Sequence, residues 1–282
     1  MTKRLLLTTD FSKNSWNAIQ YAIKLYENQN CDFYILNTYT KDTHGLNNYT
    51  LLDPDESFNK LMEKRSMQGL GDTMVRLTFE NNNANHRFHT LSRSNVFLDA
   101  VKEVVENMRI DMIIMGAKGM TNERQGKYGK NTLAVIENVR KCPVLIVPRK
   151  VTFNRPEEIV LATNYGSDFN VGEIKYLAEI AKMINAKIQV LSLANDGYLT
   201  SLQKKNKLRL QKFLKDIDDN GKILHNGKSL GKLNSFVETK HSNIISYIAK
   251  KPSFWKKLGF GKPTTLGKLG YYENIPVLAL HG

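Results

Sequence analysis

Three glycines, set between an apolar run and a helix start, carry the clearest chemistry in this chain. Asp111-Met112-Ile113-Ile114-Met115 reads as a buried strand that runs into Gly116-Ala117-Lys118-Gly119. After nine further residues, Gly129-Lys130-Asn131-Thr132 leads into the helical Leu133-Ala134-Val135-Ile136. Glycines directly after a strand let the backbone approach a ligand closely. A glycine just before a helix leaves the first N–H groups of that helix free to point at an anion, and phosphate suits such a place. The common P-loop would need a glycine five residues before Gly129 and a hydroxyl after Lys130, where this chain has Arg124 and Asn131. A Walker-type ATPase is therefore not indicated.

The elements around this loop follow from periodicity. Lys3 to Thr9 is a short apolar run of strand length, and Ser12 sits as an N-cap before a helix reaching Tyr26 with Trp16, Ile19 and Ile23 at helical spacing. Asp10 thus lies at the carboxyl end of the first strand, where open parallel sheets bind ligands. It can contact an adenine or ribose there, or it can cap the turn into the helix. Asp32 to Thr38 reads as the second strand. The polar stretch from Lys41 to Pro54 reads as a loop that could cover the site. Phe58 to Leu77 suggests a long helix interrupted near Gly69 and Gly71, and Arg87 to Leu91 a third strand. Asn95 to Met108 reads as a helix with Val96, Ala100, Val101, Val104 and Val105 facing in. Such alternation of strands and helices calls for a parallel sheet covered on both faces.

The pattern then repeats. Ile159 to Tyr165 mirrors Leu5 to Phe11, with Asn164 in place of Asp10. A helix around Ile174 to Ile184, a strand from Lys187 to Leu193 and a basic helix from Leu202 to Ile217 follow, and Ile275 to Leu280 echoes Cys142 to Val147. The expected division is residues 1–150 and 156–282, joined by a linker at Val151 to Arg155. Aligning Asn243 to Ile248 with Asp111 to Gly116 puts Ile248 at the place of Gly116 and Lys251 at the place of Gly119, although Gly261-Lys262 still echoes Gly129-Lys130. Side chains there would occupy the space a phosphate needs, and Asn164 cannot accept hydrogen bonds as a carboxylate does. The second half is expected to have lost the site that the first retains.

The spacing Gly-x2-Gly-x9-Gly after a strand, the following Cys142-Pro143-Val144-Leu145-Ile146-Val147-Pro148 and the opening Leu5-Leu6-Leu7-Thr8-Thr9-Asp10-Phe11-Ser12 resemble the universal stress protein family. The resemblance implies an α/β fold of two tandem Rossmann-like (adenine-nucleotide α-hydrolase-like) domains, each a five-stranded parallel sheet flanked by helices. It also implies ATP or AMP as ligand, held in the N-terminal half. Thr8, Thr9, Asp10 and Thr38 would line the adenosine pocket. Met115, Gly116, Lys118 and Gly119 would follow the ribose and first phosphates, with Gly129, Lys130, Asn131 and Thr132 on the outer phosphates. Mg²⁺ would be held by phosphate oxygens and water, without protein ligands. The family's nucleotide-binding members usually carry Ser or Thr where this chain has Lys130, and a lysine there can neutralise a phosphate or fill the site. The family commonly dimerises through its last strand; here the tandem halves could make that contact within one chain, with a homodimer as the further option.

Composition sets limits on the alternatives. The chain is 282 residues long, 41% hydrophobic and 24% charged, an ordinary composition for a globular protein. No signal-like N-terminus and no membrane-length apolar stretch are evident, so a cytoplasmic protein without membrane contact is expected. Cys31 and Cys142 stand far apart and read as reduced core residues. Net charge is +14, of which residues 151–282 supply +9, and Lys240 to Lys268 holds seven lysines without an acid. With Phe254, Trp255 and Phe260 in it, that stretch reads as a packing or dimer contact, or as a surface for acidic partners; nucleic acid is not expected. Six scattered histidines show no metal-ligand spacing, and no catalytic nucleophile or pair of carboxylates stands out. A stress-response binding module is expected ahead of an enzyme. A slow ATP hydrolase using the same pocket, or a non-nucleotide adaptor that binds acidic partners or nucleic acid through the basic second half, are the alternatives.

Overall fold

The computed structural model describes residues 2–39, 54–119, 128–166, 169–194, 198–217, 223–224, 244–250 and 272–281. The expected covering loop at 41–53, the aromatic lysine-rich segment around Trp255, and the positions of Lys251 and Gly261 lie outside the described residues. In chain order the first half comprises β1 (Lys3–Thr8), α1 (Lys13–Leu25), β2 (Cys31–Tyr39), α2 (Pro54–Glu80), β3 (His86–Ser94), α3 (Phe97–Asn107), β4 (Met112–Gly116), α4 (Lys130–Asn138) and β5 (Val144–Val147). The second comprises β6 (Glu158–Thr163), α5 (Val171–Ile184), β7 (Lys187–Ser192), α6 (Ser201–Ile217), β8 (Ile223–Leu224), β9 (Ile244–Ile248) and β10 (Val277–Leu280).

The ten strands form one sheet in the order β3-β2-β1-β4-β5-β10-β9-β6-β7-β8. Within each half every pairing is parallel, and each half runs 3-2-1-4-5 in its own numbering, the outcome expected of a duplicated unit. The halves meet where β5 and β10 pair antiparallel with Leu145 opposite Leu278. Those two leucines hold the same place in the repeated Pro-Val-Leu, so a local twofold passes between them.

The leucine run of β1 is buried on both faces, as a central parallel strand requires. Leu5 and Leu7 lie on the face of the sheet that carries α1, α2, α5 and α6, and Leu6 on the face that carries α3 and α4. The order of strands therefore reverses between β1 and β4, and ligands bind at the carboxyl ends of strands at such a switch point.

Several local expectations change. The long helix is not interrupted: α2 runs unbroken through Gly69 and Gly71. A methyl at Gly69 would come within 2.6 Å of the Phe11 ring, so this glycine lets the turn after β1 lie against the helix. Val96 is exposed, because it is the N-cap of α3 and has not yet entered the helix. The linker is anchored: Val151 is buried, Phe153 packs edge-on against Tyr21, and Asn17 Nδ2 donates to the Pro148 and Val151 carbonyls. His86 and His89 do face opposite sides of β3, one against Phe33 and the other stacked on Tyr34. Among the described residues no group of His, Cys, Asp or Glu could hold a metal, and no helix is long and apolar enough to cross a membrane. Both cysteines are free and buried, and burial pushes their thiols up to about 12, which keeps them protonated and unreactive.

Polar contacts lock the seam. Arg140 Nη2 donates to the Ala249 carbonyl. The buried His281 ring faces the Cys142 carbonyl through Nδ1 and the Ile136 carbonyl through Nε2, each at 2.9 Å. A neutral imidazole can donate from only one nitrogen, so the two carbonyls favour the cation. Burial outweighs them and, with the Arg140 guanidinium, pushes the imidazole down to about 4. The unfolded chain then takes up the proton before the folded one. The stability tied to a neutral His281 is complete above the unfolded value near 6.5 and is lost as the pH falls towards about 4. Urea denaturation should show His281 contributing about 2 kcal/mol less at pH 5 than at pH 7.5. His281→Gln should flatten that part of the profile, and an unchanged pH dependence in the variant would remove His281 as its source.

Candidate functional site

The turn after β1 is built by its own side chains. Thr9 N–H donates to the Leu36 carbonyl at 2.9 Å, and Thr9 Oγ1 accepts from Phe11 N–H at 3.0 Å. Phe11 takes a left-handed conformation, φ 63. Asp10 Oδ1 accepts from the N–H of Ser12 at 3.1 Å and from its hydroxyl at 2.6 Å. Ser12 Oγ in turn accepts from Ser15 N–H at 3.2 Å as the N-cap of α1. Asp10 does cap the turn, as one reading of the sequence held. Its other oxygen, Oδ2, faces Gly119, where an added methyl would stand 2.9 Å from it.

Opposite this turn, the glycine loop is stitched to β5 and to α4. Ala117 N–H donates to Val147, and Gly129 N–H donates to the Ala117 carbonyl at 2.9 Å. Thr132 Oγ1 donates to the Gly116 and Ala117 carbonyls at 3.1 and 3.2 Å, so its hydroxyl is engaged by the loop and its N–H is what remains for a ligand. Asn14 Nδ2 donates to the Lys118 carbonyl from across the loop. Gly129 is the N-cap of α4 and provides no side chain to satisfy the first amides of that helix. Lys130 follows as the first helical residue, and a cation there opposes the helix dipole. An anion between Lys130 and the amides would reverse that penalty. Lys130 is exposed, so its side chain is not buried in the site.

These pieces enclose a cavity of about 310 Å³, within the range of small-molecule sites. All twelve residues named from the sequence line it. Thr8, Thr9 and Asp10 come from the end of β1 and Thr38 from β2. Met115, Gly116, Lys118 and Gly119 come from β4 and its loop, and Gly129, Lys130, Asn131 and Thr132 from the start of α4. Three further residues, Ser15, Asn37 and Phe97, line the same cavity. Asn37 precedes Thr38 on β2, so a polar residue closing an apolar strand was the signal for it. Phe97 enters through the helix after β3, which nothing in the loop spacing connects with the site. The cavity thus has the N-terminus of α4, a carboxylate from β1, an amide from β2 and the Phe97 side chain in its walls.

The second half repeats the turn. Thr163 Oγ1 accepts from Tyr165 N–H, Asn164 Oδ1 accepts from Gly166 N–H, both at 3.0 Å, and Tyr165 is again left-handed, φ 55. The registers of β9 with β6 and of β4 with β1 put Ile248 at the place of Gly116, and Ile248 pairs with Leu280 as Gly116 pairs with Val147. Two side chains of α6 bind this turn: Gln203 Nε2 donates to the Asn164 carbonyl at 2.8 Å, and Asn206 Nδ2 to the Tyr165 carbonyl at 2.9 Å.

Comparison with known proteins places this architecture. The model of the universal stress protein family matches residues 1–148. A universal stress protein from Archaeoglobus fulgidus DSM 4304 superposes over 99% of this chain and 98% of its own, with a TM-score of 0.68 at 16% identity. A functionally unknown protein from Pseudomonas aeruginosa PAO1 superposes over 99% of this chain and 92% of its own, with a TM-score of 0.50 at 10% identity. At such identities the likeness is one of fold. No curated protein matches the sequence.

The packing of the loop is testable by itself. A methyl on Gly116 would meet Asn14 Nδ2 at 2.9 Å and the Asn14 backbone carbon at 3.4 Å. Gly116→Ala should therefore cost about 1–3 kcal/mol of stability by overpacking. In a double-mutant cycle with Asn14→Ala, read by urea denaturation, the cost should shrink because the clashing amide is gone. Strict additivity would mean that the two residues do not press on each other.

Proposed function

Since the chain belongs to the universal stress protein family, and since an uncapped helix start, a glycine loop and a carboxylate converge on one cavity, we propose that it binds an adenine nucleotide, ATP or AMP, in its first half. The observation that carries this reading is the first turn of α4, whose amides have no capping side chain and whose leading residue is Lys130. Helix amides with a lysine beside them suit phosphate. The middle of the cavity would take the ribose, with Asp10 Oδ2 accepting from its hydroxyls. Mg²⁺ would enter on the phosphates, completed by water, since Asp10 is the only carboxylate among the described lining residues.

Residues 1–150 and 156–282 would act as two domains, only the first of them loaded. Ile248 in place of Gly116, and α6 side chains on the turn carbonyls of the second half, support that asymmetry. The role would be that of a cytoplasmic stress-response module whose state is set by bound nucleotide. Asp10 already holds Ser12, and no imidazole lines the described cavity to act as a general base, which favours binding over turnover.

The direct test is mass spectrometry of whatever nucleotide is released when freshly purified protein is denatured, followed by calorimetric titration with ATP and AMP. Near-stoichiometric adenine nucleotide and a single site per chain are expected. Asp10→Ala should weaken binding at least about tenfold with the fold intact by circular dichroism. Two equivalent sites per chain would contradict the asymmetry, and no affinity for either nucleotide would overturn the proposal.

A further inference from the structure

We propose that the outer face of α6 docks the protein on an anionic lipid surface. α6 packs its inner side through Asn206, Leu210 and Leu214, spaced four residues apart and all buried. Its start is fixed by a capping box, in which Thr200 Oγ1 accepts from Gln203 N–H at 3.2 Å and Gln203 Oε1 accepts from Thr200 N–H at 2.9 Å. The opposite side therefore faces outward along the helix. It carries Lys204, Lys205, Arg209, Lys212 and Lys215, all exposed. The one acid on the helix is Asp216, in its last turn. No ion pair of Lys204, Lys205, Lys212 or Lys215 occurs among the described residues.

The duplication shows that the fold does not require this charge. α2 holds the same place in the first half, between that half's second and third strands, and its 27 residues contain four Lys and Arg against five Asp and Glu. The 17 residues of α6 contain six against one. Like charges three and four apart, as in Lys205 and Arg209, weaken a helix, so the excess works against α6 itself and points to an anion outside the chain.

The leucines decide between anions. Helical spacing sets Leu208 in a row with Lys204, Lys212 and Lys215, and Leu202 in the adjoining row with Lys205 and Arg209. Leu208 is 68% exposed, Leu202 58%, and Tyr198, just before the helix, 85%. They are three of the four large hydrophobic residues exposed in the described second half, so apolar exposure is concentrated where the charge is. The phosphates of a nucleic acid offer nothing to a leucine. A bilayer interface offers both partners, headgroup phosphates for the lysines and the acyl boundary for tyrosine and leucine. Such a contact is peripheral. It needs no apolar stretch of spanning length, so it leaves no mark of that kind in the sequence and adds a membrane surface to the partners expected there.

The test is cosedimentation of the full-length protein with vesicles of phosphatidylcholine alone and of phosphatidylcholine with about one-third phosphatidylglycerol. Binding should be at least about tenfold tighter to the anionic vesicles, and it should weaken as salt is raised. Lys204→Gln, Lys205→Gln and Lys212→Gln together should weaken it about a hundredfold, at about fivefold for each charge. All three are exposed, so circular dichroism should be unchanged. Leu208→Ser should weaken vesicle binding at least about threefold and leave any binding of a single-stranded oligonucleotide as it was. Equal binding to neutral and anionic vesicles, or an anionic preference that survives the triple substitution, would overturn the proposal. A Leu208→Ser variant that binds vesicles as the unchanged chain does would overturn it too, and with tight oligonucleotide binding would hand this face to nucleic acid.

Discussion

The antiparallel pairing of β5 with β10 is the contact on which the rest of the molecule depends. Each half alone would end in a short, apolar parallel strand with its outer edge open, and such an edge invites association with other chains. Here each closes the other, with Leu145 opposite Leu278, and ten strands become one sheet. The pairing also fixes what lies beside it. α4 leads into β5, and its far end is held by the second half: the His281 ring lies between the Ile136 and Cys142 carbonyls, and Arg140 just past the helix donates to the Ala249 carbonyl. The helix whose first turn faces the cavity is thus anchored at its other end by residues of the repeat that carries the altered loop. The second half can thus be required by the first whatever its own loop does, because it holds α4 in place.

Much of this was legible in the sequence because burial imposes periodicity. Unbroken leucines in β1 mean a central strand, alternating strands and helices mean parallel pairing, and the repeated Pro-Val-Leu announces a duplication. What escaped was set by contacts between distant segments. Gly69 and Gly71 look like helix breakers, each costing about 1 kcal/mol against alanine. Yet Gly69 is where the Phe11 ring meets α2, and a 27-residue helix with tertiary contacts absorbs the cost. Val96 looks like part of an inward stripe, but the helix begins one residue later and leaves it outside.

The site divides the same way. Residues next to one another in the glycine loop could be named from spacing, since the loop is contiguous and its backbone does the work. Asn37 had only the weaker signal of a polar residue closing an apolar strand, and Phe97 had none, because it belongs to the cavity only through the helix that follows β3. Ser15 is a borderline case. It follows from the N-cap at Ser12 by one helical turn, and its hydroxyl lies 3.1 Å from Thr9 Oγ1.

The duplicated turn separates what Asp10 does for the fold from what it can do for a ligand. Asn164 forms the same turn with one oxygen and an amide, followed by an equally left-handed aromatic residue. The turn therefore does not need a carboxylate. What Asp10 adds is a second carboxylate oxygen, which lies beside Gly119 on the wall of a cavity that Lys118 and Lys130 also line. In the second half the equivalent turn is covered by Gln203 and Asn206, which satisfy its carbonyls from within the chain. In one copy the turn is covered by side chains of the following helix; in the other its carboxylate lies on the wall of a cavity.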